Sequence, residues 1–198
     1  MKKLLFNPFE KYAGSLSVFI ALLILFLSSL VANLGMIHFD GVIDMHLGAE
    51  TTFMYSFLEG LIDWLCMVLF IYLSALIFSP SSIRLVDVLG TQGMARFPFF
   101  ITGIFSWLIS TEKMEKFIQY KVLHQGESVE ITVLDGLAFG LVSLITLTCL
   151  IWMIYLMFKA YAVSCNMKGG KAVSSFIVSL LLAEILSKAL LYFLYKSA

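Results

Sequence analysis

The sequence predicts an all-α integral membrane protein, a bundle of about five transmembrane helices. Of its 198 residues, 61% are hydrophobic and only 13% are charged, whereas soluble domains carry about 25% charged residues. The mean hydropathy is +0.98. A chain with so much apolar surface cannot bury it all in one small core, so lipid is its natural solvent.

Five apolar segments are the predicted spans. Crossing the hydrocarbon core of a bilayer, roughly 30 Å thick, takes about 20 helical residues. The predicted spans cover residues 15–34, 53–78, 95–110, 131–158 and 172–195, within one membrane domain of residues 1–198. The third is short and carries Pro98, so a re-entrant or interfacial segment is the alternative to a full crossing there.

The distribution of lysine and arginine predicts the orientation. With five crossings, eight basic residues fall on the side of the N-terminus: Lys2, Lys3, Lys11, Arg84, Arg96, Lys159, Lys168 and Lys171. Four fall on the other side: Lys113, Lys116, Lys121 and Lys196. Because basic loops stay in the cytoplasm, we expect the N-terminus inside and the C-terminus outside.

A short amphipathic helix is expected between the third and fourth spans. Met114, Phe117, Ile118 and Lys121 follow the i, i+3, i+4, i+7 spacing of one helix face. The pattern is typical of a helix that lies on a membrane surface, here the outer one.

Charged residues inside the spans are the most informative feature of the sequence. They are Glu59, Asp63, Asp135, Glu184 and Lys188. The predicted topology places all five at similar depths in the outer half of the bundle. A charge at the bilayer centre costs about 2.5–3.5 kcal/mol on insertion scales, so such groups pair, line a wet cavity or bind an ion. The cluster predicts a proton- or cation-binding site, with a structural network neutralised in part by the lysine as the alternative.

The loop between the first two spans carries two histidines and two aspartates. His38, Asp40, Asp44 and His46 have side chains that bind zinc or another divalent ion. Their spacing matches no closed zinc motif, so a solvated loop with incidental histidines is the alternative. No cofactor is predicted apart from this divalent metal.

A G-x-x-x-G pattern formed by Gly136 and Gly140 lies in the fourth span. Such a pattern lets another helix backbone approach closely. It predicts either close packing inside the bundle or a dimer face.

Enzymatic and nucleic-acid functions are not predicted. The sequence has no G-x-S-x-G, H-E-x-x-H or Walker loop. Its formal net charge is +0, which gives no basic field for nucleic acid. Cys66, Cys149 and Cys165 form no C-x-x-C pair and are expected to be buried free thiols.

The order and spacing of several short motifs resemble the Yip1-domain membrane proteins of the small bacterial type, across nearly the whole chain. The motifs are Asn7-Pro8 before the first span, Asp87-Val88-Leu89 leading into Gly93 through Pro98, Trp152 and Leu156 late in the fourth span, and Lys171-Ala172 opening the fifth. The resemblance implies a five-span bundle with a cytoplasmic N-terminus, no established catalytic residues, and self-association or partner binding. With the short loops, it also implies a bacterial inner membrane.

The expected function is therefore that of a non-enzymatic, multi-pass membrane protein of Yip1 type. It would act through self-association, lipid or membrane-protein partners. The alternative is a small proton- or metal-ion-linked transporter or channel that uses the intramembrane acidic cluster.

Overall fold

The computed structural model describes residues 5–48, 50–122, 124, 126 and 129–196. A 3-10 turn at Pro8–Glu10 precedes seven helices: α1 (Gly14–Leu34), α2 (Phe53–Phe78), α3 (Leu85–Met94), α4 (Phe97–Ser106), α5 (Thr111–Val122), α6 (Val133–Ser164) and α7 (Gly169–Lys196). Two short strands, β1 (Ile37–His38) and β2 (His46–Leu47), pair antiparallel between α1 and α2.

Four of these helices, α1, α2, α6 and α7, are long and apolar enough to cross a membrane. The prediction of an all-α membrane protein is confirmed to that extent. The bounds of α2 are those predicted, whereas α6 continues beyond 158 to Ser164. Lys159 therefore lies on the helix rather than in a loop, where its long side chain can reach the membrane surface.

The third predicted span, residues 95–110, contains only the short helix α4, and α3 lies before its predicted start. Together the two form a broken helix. The helices α3 and α4 are 10 residues each, and Ala95 and Arg96 form the turn that joins them. Pro98 is in the first turn of α4, where its missing N–H leaves no helical hydrogen bond unmade. The break therefore follows directly from the proline.

The broken helix runs parallel to α1 along the whole of that helix. At one end the backbone N–H of Gly14 donates to Asp87 Oδ1 over 2.8 Å, and at the other the indole N–H of Trp107 donates to the Val31 carbonyl over 3.4 Å. Between these points Gly90 and Gly93 face α1, where an added Cβ would overlap its side chains. Glycine permits this close approach of two backbones.

The loop between α1 and α2 folds back into the bundle. We call residues 36–48 the hairpin segment. Its Phe39 is only 2% exposed and its Val42 is fully buried. The ring of Phe39 stacks on Phe99 of α4, with 5.2 Å between centroids. The centre of this loop is thus core, in contrast to the solvated loop considered from sequence.

The bundle has two ends that are distinct in structure. The hairpin segment, the amphipathic helix α5 and the last turn of α7 lie at one end, which we call the hairpin end. At the opposite end Ser79 donates to the Cys165 carbonyl over 2.8 Å, where α6 turns into α7. Tyr161 joins the same elements, because its hydroxyl lies 3.0 Å from Ser74 Oγ and 2.8 Å from Ser175 Oγ.

The three cysteines are free and buried, as predicted. Cys165 follows the last residue of α6, and burial raises the pKa of its thiol to about 11.

Candidate functional site: a buried charge network around the hairpin segment

A network of charged and polar side chains lies at the hairpin end, between α2, the α3–α4 break and α7. Glu59 and Asp63 of α2 are both 0% exposed. Asp63 lies ten residues after the first residue of α2, which corresponds to a depth of about 15 Å along the helix. Asp63 therefore lies near the middle of a bilayer that begins at the start of α2, and Glu59 lies about 6 Å nearer to the hairpin end.

Asp63 is paired with Arg96, which the turn between α3 and α4 points into the bundle. Nη2 of the arginine lies 3.2 Å from Asp63 Oδ2, and Nη1 donates to the Val42 carbonyl over 3.3 Å. The guanidinium also lies over the ring of Phe99. One buried cation thus binds both a helix acid and the hairpin segment.

The role of Arg96 was missed from the sequence, where it was placed at the membrane surface as a loop residue. It is 6% exposed. Pro98, two residues later, was the available signal in the sequence. A proline predicts a break in the helix, and a break beside Arg96 allows its side chain to turn into the bundle. Removing it from the count of basic residues leaves seven against four, so the predicted orientation is unchanged.

Glu59 accepts three hydrogen bonds, two from the hairpin segment and one from α7. Its Oε1 lies 2.8 Å from His38 Nδ1 and accepts from the Tyr195 hydroxyl over 2.6 Å. Its Oε2 accepts from the Phe39 backbone N–H over 3.0 Å. The end of α7 thus places the hydroxyl of Tyr195 against this carboxylate.

A second histidine–carboxylate pair lies between Glu59 and the surface. His46 Nδ1 is 2.6 Å from Asp40 Oδ2, and both side chains are partly exposed, at 48% and 34%. The ring of His46 stacks on that of His38, with 5.2 Å between centroids. Two histidines and two carboxylates therefore form a line from the surface to the buried Glu59.

Glu184 and Lys188 of α7 hold the tip of the hairpin segment. Glu184 Oε2 accepts from the Ile43 backbone N–H over 3.0 Å, and its Oε1 lies 3.4 Å from Lys188 Nζ. Lys188 also pairs with Asp44 Oδ2 over 2.6 Å. An added Cβ at Gly41 would overlap the Glu184 carboxylate, so only glycine leaves room for this contact.

The structure brings together four of the five charged residues predicted for an intramembrane site, but not Asp135. That carboxylate caps α6 with Thr132 in a capping box and pairs with Lys113 of α5. Depth along the sequence suggested Asp135, whereas its position at a helix N-terminus gives it a local structural role.

The four residues predicted as metal ligands do not converge on one point. His38 pairs with Glu59, Asp40 with His46, and Asp44 with Lys188. Within the described ranges, no group of three or more histidine, cysteine, aspartate or glutamate side chains could hold a metal ion.

The G-x-x-x-G pattern does not pack inside the bundle. An added Cβ at Gly136 or Gly140 would meet no atom of the described chain within 4 Å. Both glycines are exposed, so the expected close packing inside the bundle is not found at this pattern.

The fold and the network define an all-α, membrane-embedded protein with paired charges in its interior. The chain matches no protein-family model, no curated protein and no solved structure. The resemblance to Yip1-domain proteins therefore stays a prediction.

Proposed function

We propose that this is a non-enzymatic, multi-pass protein of Yip1 type in the bacterial inner membrane, which acts through self-association, lipid or membrane-protein partners. In this proposal it crosses the bilayer five times, with the N-terminus inside and the C-terminus outside.

The broken helix supports a fifth crossing. Residues 85–106 extend alongside α1 from its first turn to its last. At about 1.5 Å per residue they are long enough for a hydrocarbon core of about 30 Å. The crossing directions then alternate through α1, α2, the α3–α4 pair, α6 and α7.

The observation that carries the proposal is that the hairpin segment fills the bundle and that the buried charges bind it. The cavity beside Arg96 has a volume of only about 10 Å³, enough for about one water molecule. Three larger cavities are open grooves. The one of about 340 Å³ lies between the hairpin segment, α4 and α6, that of about 500 Å³ between α2 and α7, and that of about 670 Å³ between residues 5–6 and α6. Space for a partner thus lies in open grooves rather than in the interior.

Among the four long helices, α6 has the smallest buried fraction. Only 17% of its most apolar stretch is buried, against 44% for α2. Gly136, Gly140 and the exposed Ser143 follow one face of this helix. Small residues on a lipid-facing helix favour close packing with a second helix, such as the same helix of another copy.

Cysteine crosslinking in native membranes tests this self-association. In a background without the native cysteines, Leu144→Cys places a thiol on the outward face of α6, and Ile177→Cys places one on the exposed face of α7 as the control. We expect oxidant to link two copies through the first variant but not the second. Equal linkage through both variants, or none through either, would contradict the proposed interface.

A second candidate, a proton-linked transporter, is favoured by the line of histidines and carboxylates that ends at Glu59. The line offers successive protonatable groups from the surface inward. Proteoliposomes with a pH-sensitive dye inside test it. A transporter would acidify the lumen, and Glu59→Gln would abolish that flux while the protein stays folded. Absence of flux in the wild type favours the first proposal.

A further inference from the structure

A lateral groove between α2 and α7 lies at the end of the bundle opposite the hairpin segment. Its volume is about 500 Å³, and apolar side chains that include Phe70, Phe78 and Leu182 form its walls. The helices touch beneath it through small residues, since Ser179 Oγ donates to the Phe70 carbonyl over 3.2 Å. The serine hydroxyls on its floor are hydrogen-bonded, so the groove is a suitable site for an apolar chain.

The length of the groove matches one leaflet. It extends along α7 from Lys171 to Leu182, a distance of about 16 Å for eleven residues. Half of a hydrocarbon core of about 30 Å is similar. An acyl chain that enters at the surface can therefore lie in the groove along its whole length.

A positive charge stands at the mouth of the groove. Lys171 lines it and is exposed. Lys168 is in the turn before α7 and is also exposed. In the part of the chain that the structure describes, neither lysine forms an ion pair with an acidic side chain. An apolar groove that ends at uncompensated lysines is complementary to an anionic lipid.

We propose that the groove between α2 and α7 binds one anionic phospholipid, with an acyl chain between the helices and the headgroup phosphate at Lys171. The inference deepens the proposed function by naming the lipid class, and it rests on that function only in placing the chain in a bilayer. The lipid belongs to the leaflet at which α7 begins, the cytoplasmic one in the predicted orientation.

Native mass spectrometry of detergent-purified protein tests the site. The protein is incubated with equimolar phosphatidylglycerol and phosphatidylcholine that carry the same acyl chains. We expect one phosphatidylglycerol retained in about fivefold preference, the effect of about one lysine near an anionic headgroup. Lys171→Gln should remove this preference, whereas Lys159→Gln, a lysine of α6 outside the groove, should keep it.

A second pair of variants tests the groove itself. Ser174→Phe fills the groove from an exposed position and should lower retention of both lipids, whereas Val173→Phe, on the adjacent exposed face, should not. Equal retention of both lipids by the wild type, or equal losses within either pair of variants, would overturn the inference. Dissociation of a dimer by Ser174→Phe would also overturn the inference, because it would show that a second copy of the chain occupies the groove. If the proposed self-association is wrong but the lipid site is right, the Leu144→Cys variant of α6 would form no crosslink while the preference for phosphatidylglycerol is kept.

Discussion

The ion pair between Asp63 and Arg96 gives the sharpest test of the structure, because both side chains are nearly completely buried. Removing one partner of a buried pair leaves an uncompensated charge and costs about 3–5 kcal/mol. We expect Arg96→Met to lower the free energy of unfolding by that amount. Besides the loss of the cation, the Val42 carbonyl loses a donor.

The double variant Asp63→Leu/Arg96→Met should be more stable than Arg96→Met alone. Replacing both members of a buried pair by apolar residues is often neutral or stabilising. In the double variant the Val42 carbonyl still lacks its hydrogen-bond donor, which costs about 1–3 kcal/mol. A coupling energy of at least about 2 kcal/mol between the two positions is therefore expected.

Titration of the detergent-solubilised protein with a denaturing surfactant, followed by circular dichroism, measures these free energies. The matched control is the partly exposed pair of Lys113 and Asp135. There Lys113→Met should cost less than about 1 kcal/mol, because exposed ion pairs contribute little. Additive effects of Asp63→Leu and Arg96→Met would refute the pairing, as would a loss at Lys113 equal to that at Arg96.

Two further predictions use the same titration. Gly93→Leu should destabilise the bundle by about 1–3 kcal/mol through overpacking against α1. The control is Gly170→Leu in the first turn of α7, where an added Cβ meets no atom within 4 Å, and it should change stability by less than about 0.5 kcal/mol. Equal effects would contradict the packing of the broken helix. Tyr195→Phe should cost about 1–3 kcal/mol by removing a donor to Glu59, and Tyr192→Phe, on an exposed side chain, should cost almost nothing. A loss at Tyr192 as large as that at Tyr195 would count against the hydrogen bond.

The long helices could be predicted from the sequence because length and hydropathy decide them locally. The bounds of α2 show this best, since they agree with the structure at both ends. The broken helix could not be recognised in the same way. Its apolar pattern is interrupted by Asp87, Gln92 and Arg96, and each of these bonds to a residue that is distant in sequence. Asp87 accepts from the backbone at the start of α1, Gln92 donates to the α6 backbone, and Arg96 donates to Asp63.

The charge network was predicted in part for a related reason. The four-residue spacing places Glu59 with Asp63 and Glu184 with Lys188 on shared helix faces, and the structure keeps both pairs in one region. Their partners in the hairpin segment are distant in sequence, so no local pattern reveals them. The signal that was present is the apolar character of Phe39 and its neighbours, which a solvated loop does not require.

The hairpin segment and the buried acids depend on one another energetically. Without the hairpin, Glu59 would lose two of its donors and Glu184 would lose the Ile43 backbone N–H. Without the acids, the backbone of the hairpin would be buried with unmet N–H groups, each of which costs about 1–3 kcal/mol. Because each satisfies the hydrogen-bonding groups of the other, the hairpin segment and the buried acids form one structural unit, and loss of either is expected to destabilise both.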